Sequence, residues 1–278
     1  STPTPSSGEL DPMAHVEFCV DARGTRYPKA GSQPRIVSLV PSLTELLCDL
    51  GLANNIVGRT GFCIHPRETV KRIPKVGGTK DVNIEKIRAL KPTHVLVNID
   101  ENTRDIADRL ATFVQNIFVT HPLAPGDNVG LYESLGFLFS CEQRAALLVR
   151  KFTAALENLR LRNKSRATSI LYLIWREPWM TVSPDTYISQ MLRLIDWHSL
   201  PAKTQQRYPV IELTDYIGKV DKVLLSSEPY PFRDKHLDEV KTTFGPNTDV
   251  TLVDGEMLSW YGSRSILGIE YLAKLGNL

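Results

Sequence analysis

Cys63 and His65 lie two positions apart in the segment Gly61–Pro66 (GFCIHP). A thiolate and an imidazole both suit iron or cobalt, so either can act as an axial ligand to a metal centre. Three further segments combine aromatic rings with charge. Trp175–Thr181 (WREPWMT) holds Trp175 and Trp179 with Arg176 and Glu177, Ser226–Phe232 (SSEPYPF) holds Glu228 and Tyr230, and Trp260–Arg264 (WYGSR) holds Trp260, Tyr261 and Arg264. Aromatic faces stack on flat macrocycles, and a guanidinium such as that of Arg264 pairs with a propionate, phosphate or carboxylate. A single aromatic residue is usually core; three aromatic-bearing segments of this kind point to a cleft for a flat ligand. The same residues also permit an enzyme reading, with Arg176, Glu177, Glu228, His65 and Cys63 as an acid/base or thiol site. Against it, the chain carries no nucleophile elbow, Walker loop, dinucleotide fingerprint or zinc-protease histidine pair. The histidines at 15, 65, 94, 121, 198 and 236 are too scattered for a site that takes free zinc or manganese.

These segments follow apolar runs of strand length. Arg35–Val40, Asn55–Arg59, Thr93–Asn98 and Asn116–Thr120 read as strands in the first half, and Ser169–Trp175, Lys222–Ser226 and Asp249–Val253 in the second. Helical patterns separate them: Pro41–Gly51 with capping-box spacing at Ser42 and Glu45, Asn83–Leu90, Thr103–Phe113, Leu131–Phe139, Tyr187–Ile195, Ile211–Ile217, Lys235–Thr243 and Ile266–Leu275. Alternating strands and helices predict an α/β protein with parallel sheets, whose ligands sit beyond the carboxyl ends of the strands. On that rule the start of the helix at Pro41–Glu45, with its free N–H groups, is a further candidate. Between the halves runs Cys141–Lys164, without Gly or Pro, with Leu148, Phe152, Ala155, Leu156 and Leu159 on one face. With Ser140 as its N-cap, it predicts a helix roughly 35 Å long joining two Rossmann-like lobes. NIEKIRALKPTHVLVN in the first half is echoed by IELTDYIGKVDKVLLSS in the second. The expected organisation is a tail and leading segment at 1–33, a first lobe at 34–139, the connecting helix at 140–165 and a second lobe at 166–278.

The chain has 278 residues, 42% of them hydrophobic and 23% charged, enough for one large or two smaller cores. A net charge of +2 without a basic run gives no reason to expect nucleic acid as a partner. No apolar stretch is long enough to span a bilayer. Cys19, Cys48, Cys63 and Cys141 form no CxxC pair, and Cys48 and Cys141 read as small buried apolar residues. STPTPSSGELDP, before Met13, reads as a vector-derived tail or disordered leader rather than a signal peptide.

The order RIVSLVPSLTELLCDLG, IVGRTGFCIHP, IPKVGG, NIEKIRALKPTHVLVN resembles the first lobe of bacterial substrate-binding proteins for cobalamin, haem and iron-siderophore importers, and the resemblance extends from Arg35 to the C-terminus. It is greatest toward the cobalamin-binding members. The resemblance implies two α/β lobes bridged by one helix, an interlobe cleft with little closure, and a bound corrinoid or related metal chelate, with no cofactor of its own and no catalysis. It places Phe62 as a pocket aromatic, and Cys63 and His65 depart from the cobalamin-binder pattern. It further implies a monomer docking onto an ABC permease and its ATPase through Glu85 on the first lobe and Asp215 on the second, in the periplasm. The alternatives are a haem or ferric-siderophore binder, or a cytoplasmic protein or enzyme on the same fold.

Overall fold

A computed structural model describes residues 17–277. The tail before Met13 and His15 lie outside the described residues. The chain opens with a two-stranded antiparallel hairpin, β1 (Cys19–Val20) and β2 (Arg26–Tyr27). The first lobe follows as β3 (Ile36–Ser38), α1 (Pro41–Asp49), β4 (Ile56–Arg59), α2 (Arg67–Val70), α3 (Ile84–Leu90), β5 (His94–Asn98), α4 (Arg104–Ala111), β6 (Asn116–Thr120) and α5 (Asp127–Leu138). Its sheet has the order β4-β3-β5-β6, all parallel. The long helix α6 (Glu142–Arg162) leads into β7 (Thr168–Leu173), α7 (Tyr187–Arg193), β8 (Trp197–Ser199), β9 (Lys222–Ser226), α8 (Asp234–Phe244), β10 (Asp249–Val253), α9 (Gly255–Ser259) and α10 (Arg264–Gly276). The second sheet, β10-β9-β7-β8, is also parallel.

Local signals set most of these boundaries. Asn83 caps α3 by accepting from Lys86 N, and Thr103 caps α4 by accepting from Ile106 N. β3 and β5 are buried along their whole length, as expected for strands covered on both faces. The leading hairpin covers the exposed edge of β6. Asp21 accepts from Val119 N, Arg23 N and Thr25 N, and Ala22 N donates to Val119 O.

Several expectations need correction. Ser140 does not cap α6; it has φ +55° in the turn after α5, and Cys141 occupies the N-cap without a side-chain bond. Ser42 and Glu45 form no capping box, because Pro41 already occupies the first turn and Glu45 is drawn to another partner. The 211–217 helix is a short 3-10 turn over Leu213–Tyr216, whereas β8 and α9 were not expected.

The α6 helix is not a free-standing rod. It buries Ala145, Leu148, Phe152 and Leu159 against α5 of the first lobe and α10 of the second. Each sheet has an apolar core on its outer face, while a third core runs continuously between the sheets, from Ile36 and Leu43 through Tyr132 and Phe152 to Tyr172 and Leu272. The lobes therefore share their largest core. Gly262 lies in this seam with φ +84°, a conformation that suits glycine. Its N–H donates to Asn128 Oδ1 at 2.6 Å and its carbonyl accepts from Tyr132 Oη at 2.7 Å, so α5 holds the WYGSR loop in place.

Candidate binding cleft

The carboxyl ends of both sheets open into one cleft of about 610 Å³ between the lobes. It is reached by Ser42 after β3, Phe62 after β4, Glu101 after β5, Ile174 after β7, Glu228 after β9 and Trp260 after α9. Its position is the one expected of open parallel sheets.

Each wall is shaped from nearby residues. The buried Arg59 spans the Gly61–Pro66 loop by donating to the carbonyls of Thr60 and Cys63, both at 3.3 Å. That loop leaves Phe62 64% exposed and Ile64 45% exposed at the rim. Asn98 Oδ1 accepts from the N–H groups of Asp100 and Glu101, and Asn102 ties the same turn to the carbonyls of Leu39 and Thr79. On the other lobe Asp254 caps α9. Gly255 lets that helix approach β9, since a Cβ there would stand 2.3 Å from Ser226 Oγ.

Trp260 is buried to 8% exposure, and its Nε1 donates to Glu228 Oε1 at 2.8 Å. Ser259 Oγ donates to the same oxygen at 3.2 Å. Tyr261 Oη donates to Glu101 across the lobe boundary. Burial pushes Glu101 up to about 7; the Tyr261 hydrogen bond opposes this, Glu228 and Asp100 reinforce it, and Lys80 opposes it. Glu228 is raised as well, by burial first and then by the charges of Glu256 and Asp254, against the bonds from Trp260 and Ser259. Asp100 accepts from Arg207 Nη2 at 2.6 Å, a pair that links first lobe to second.

Of the residues expected at the site, Phe62, Glu228, Trp260 and Tyr261 line the cleft. The others lie elsewhere. Cys63 is 1% exposed, with its sulfur 3.1 Å from Thr44 Oγ1 and 3.2 Å from Thr60 Oγ1. Burial raises its thiol pKa, so it stays a neutral thiol facing the first lobe's interior. His65 stands behind Trp260, edge-on to the indole, with Nε2 2.8 Å from Glu256 Oε2. Neither donor lines the cleft, and no cluster of three or more His, Cys, Asp or Glu able to hold a metal ion occurs among the described residues.

The WREPWMT segment and the Tyr230–Phe232 end of SSEPYPF pack toward α8 instead. Trp175 packs edge-on to Tyr230, Trp179 stacks on Phe232, and Arg176 donates to Glu239 at 2.9 Å while also pairing with Glu177. Arg264 is not available to a ligand anion. Its Nη2 and Nε reach Glu45 Oε2 and Oε1 at 2.7 and 3.0 Å, and its Nη1 lies 3.6 Å from Glu256. Glu85 and Asp215 are both exposed, Glu85 beside Arg88 on α3 and Asp215 on the Leu213–Tyr216 turn.

Sequence reading missed Asn98, Asp100, Glu101, Tyr187 and Tyr208, all on the cleft wall. The rule that singled out the other loops reaches Glu101, which follows β5 just as Phe62 follows β4. Tyr208 lies in an irregular stretch with no comparable signal.

Residues 36–214 match the family described as periplasmic binding protein. The chain belongs to that family. Family membership makes it a substrate-binding protein rather than an enzyme. It is 26% identical to an uncharacterized ABC transporter substrate-binding lipoprotein of Bacillus subtilis, over 86% of this chain and 79% of the relative. It is 24% identical to a vitamin B12-binding protein of Yersinia pestis, over 71% of each. The fold matches the periplasmic vitamin B12 binding protein of Vibrio cholerae with a TM-score of 0.74 at 17% identity, covering 88% of this chain and 98% of that one. It likewise matches a periplasmic haem binding protein of Pseudomonas aeruginosa with a TM-score of 0.75 at 18% identity, covering 87% and 92%.

Proposed function

We propose that this protein captures a corrinoid or a related metal chelate in the interlobe cleft and delivers it to an ABC-type permease. The observation that carries this reading is the cleft itself. Its rim exposes Phe62 and Ile64, an apolar surface that suits a partner with an apolar face. Trp260 supplies a rigid aromatic wall behind them. The named relatives support a ligand of this class, two of them as vitamin B12 binders. Haem or a ferric siderophore is the second reading, favoured by the haem-binding structural neighbour. The protein works as a monomer on the outer side of the cytoplasmic membrane, in the periplasm or its equivalent. Glu85 and Asp215, one exposed carboxylate on each lobe, dock on the permease that the ATPase drives.

An absorbance and tryptophan-quenching titration with cyanocobalamin, haem and a ferric siderophore tests the reading. Saturable binding of one of them at about micromolar affinity or tighter is expected. Trp260→Ala should weaken it at least about tenfold, whereas Trp179→Ala, whose ring stacks on Phe232 away from the cleft, should leave affinity unchanged. Failure of all three to bind, or equal effects of the two substitutions, would overturn the assignment.

A further inference from the structure

The charged residues that line the cleft are Asp100, Glu101 and Glu228, and the lining itself includes no lysine, arginine or histidine among the described residues. Asp100 is matched by Arg207 at 2.6 Å on one oxygen and faced by His121 Nε2 at 3.3 Å on the other, so both of these basic groups are taken up by Asp100. Glu101 and Glu228 face the cleft from opposite lobes and have no cationic partner within ion-pair distance among the described residues. Both are hydrogen-bonded on one oxygen only: Glu101 Oε2 accepts from Tyr261, and Glu228 Oε1 accepts from Trp260 and Ser259. Among the described residues, Glu101 Oε1 and Glu228 Oε2 receive no donor, although a carboxylate oxygen has room for two.

The surrounding cations are committed elsewhere. Arg264 is held by Glu45 and Glu256, His65 by Glu256 and Arg176 by Glu239, while Lys80 is exposed and acts on Glu101 from outside the lining. One feature favours anions: the first turn of α1, where Ser42 lines the cleft and Val40 provides no side-chain cap. A helix end is worth about half a positive charge. Above about pH 7, where Glu101 ionises, two carboxylates in a partly desolvated cleft outweigh it.

Resting on the chelate reading above, we infer that the cleft selects a metal chelate with hydrogen-bond donors at its rim and no net negative charge, and rejects chelates that present carboxylates or catecholates. Peripheral amide N–H groups, as on a corrinoid, or an ammonium, as on a cationic ferric hydroxamate, would reach the free oxygens of Glu101 and Glu228. A propionate there would add a third negative charge without a cation to meet it. The shared chemistry is thus donor-rich and neutral to positive, and the two ligand sources are separated by the test.

The experiment titrates the full chain at about pH 8, above the ionisation of Glu101, with four probes. They are cyanocobalamin, a cyanocobalamin derivative in which one peripheral amide is hydrolysed to the acid, ferrioxamine B, and haem. Binding of cyanocobalamin or ferrioxamine B is expected, with the acid derivative and haem at least about tenfold weaker than the preferred probe. The Glu101→Gln, Glu228→Gln double variant should narrow that gap to about threefold or less. Haem as the tightest ligand, or an acid derivative that binds as well as its parent amide, would overturn the selectivity while leaving the chelate reading standing. Silence with all four probes would overturn the chelate reading and the selectivity with it. Because the amide-to-acid comparison, and that of ferrioxamine B with haem, use the unaltered protein, they decide the question even if the double variant fails to fold.

Discussion

Arg264→Met tests whether the lobes are fastened through charge as well as through their shared core. Arg264 on α10 and Glu45 on α1 form a two-pronged pair between lobes, with side chains only 13% and 11% exposed. Removing the guanidinium leaves the buried Glu45 without the donor of its side-chain hydrogen bonds among the described residues. Loss of one member of a buried pair costs about 3–5 kcal/mol. The residual exposure of both groups places this case near the low end, at about 3 kcal/mol. The pair itself contributes much less than that, because both ions lose their hydration on folding. Glu45→Leu combined with Arg264→Met should therefore return to within about 1 kcal/mol of the wild type. Urea unfolding at neutral pH, followed by far-ultraviolet circular dichroism, gives both values. The continuous core predicts a single transition with an unchanged slope. A loss below about 1 kcal/mol for Arg264→Met, or a double variant as unstable as the single one, would refute the reasoning.

Three further outcomes follow from the same geometry. Glu101, raised from an ordinary value of 4.5 to about 7 by burial, then Glu228 and Asp100 and against Tyr261 and Lys80, favours the protonated folded state. Stability should therefore fall as pH rises from about 4.5 to 7, by up to about 3 kcal/mol. Glu101→Gln should flatten that part of the urea midpoint against pH, and an unchanged slope would exclude Glu101 as its source. Gly262→Ala places a Cβ at φ +84°, 3.2 Å from the Ser42 carbonyl, and should cost about 1–3 kcal/mol by the same assay. Charge reversal at Glu85 and Asp215 should abolish stimulation of the permease ATPase while leaving ligand affinity unchanged. A loss of affinity would move these residues out of a docking role.

Much of the architecture was legible because its signals are local. The apolar runs that become β3, β5, β7 and β9, the Asn83 and Thr103 caps, and the stop at Gly51 each depend on residues within about a helical turn of one another. The general location of the cleft followed from the same pattern, since parallel strands carry their loops to one end. Which side chains face it did not follow. Trp175 and Trp260 have the same chemistry and both sit in loops at the ends of strand-helix units, yet Trp175 is claimed by Tyr230, while Trp260 is turned to the cleft by Glu228. Arg264 and Glu45 are 219 positions apart, and His65 and Glu256 are 191 apart. Such pairs form only after the lobes have met, and their electrostatic strength depends on burial that no local pattern encodes. The sequence by itself determined two parallel sheets, their loops and the long helix. Tertiary structure decided that the guanidinium of Arg264 fastens the lobes, that Cys63 is sealed away, and that the cleft is lined by acids, because those outcomes depend on contacts between segments far apart in the chain.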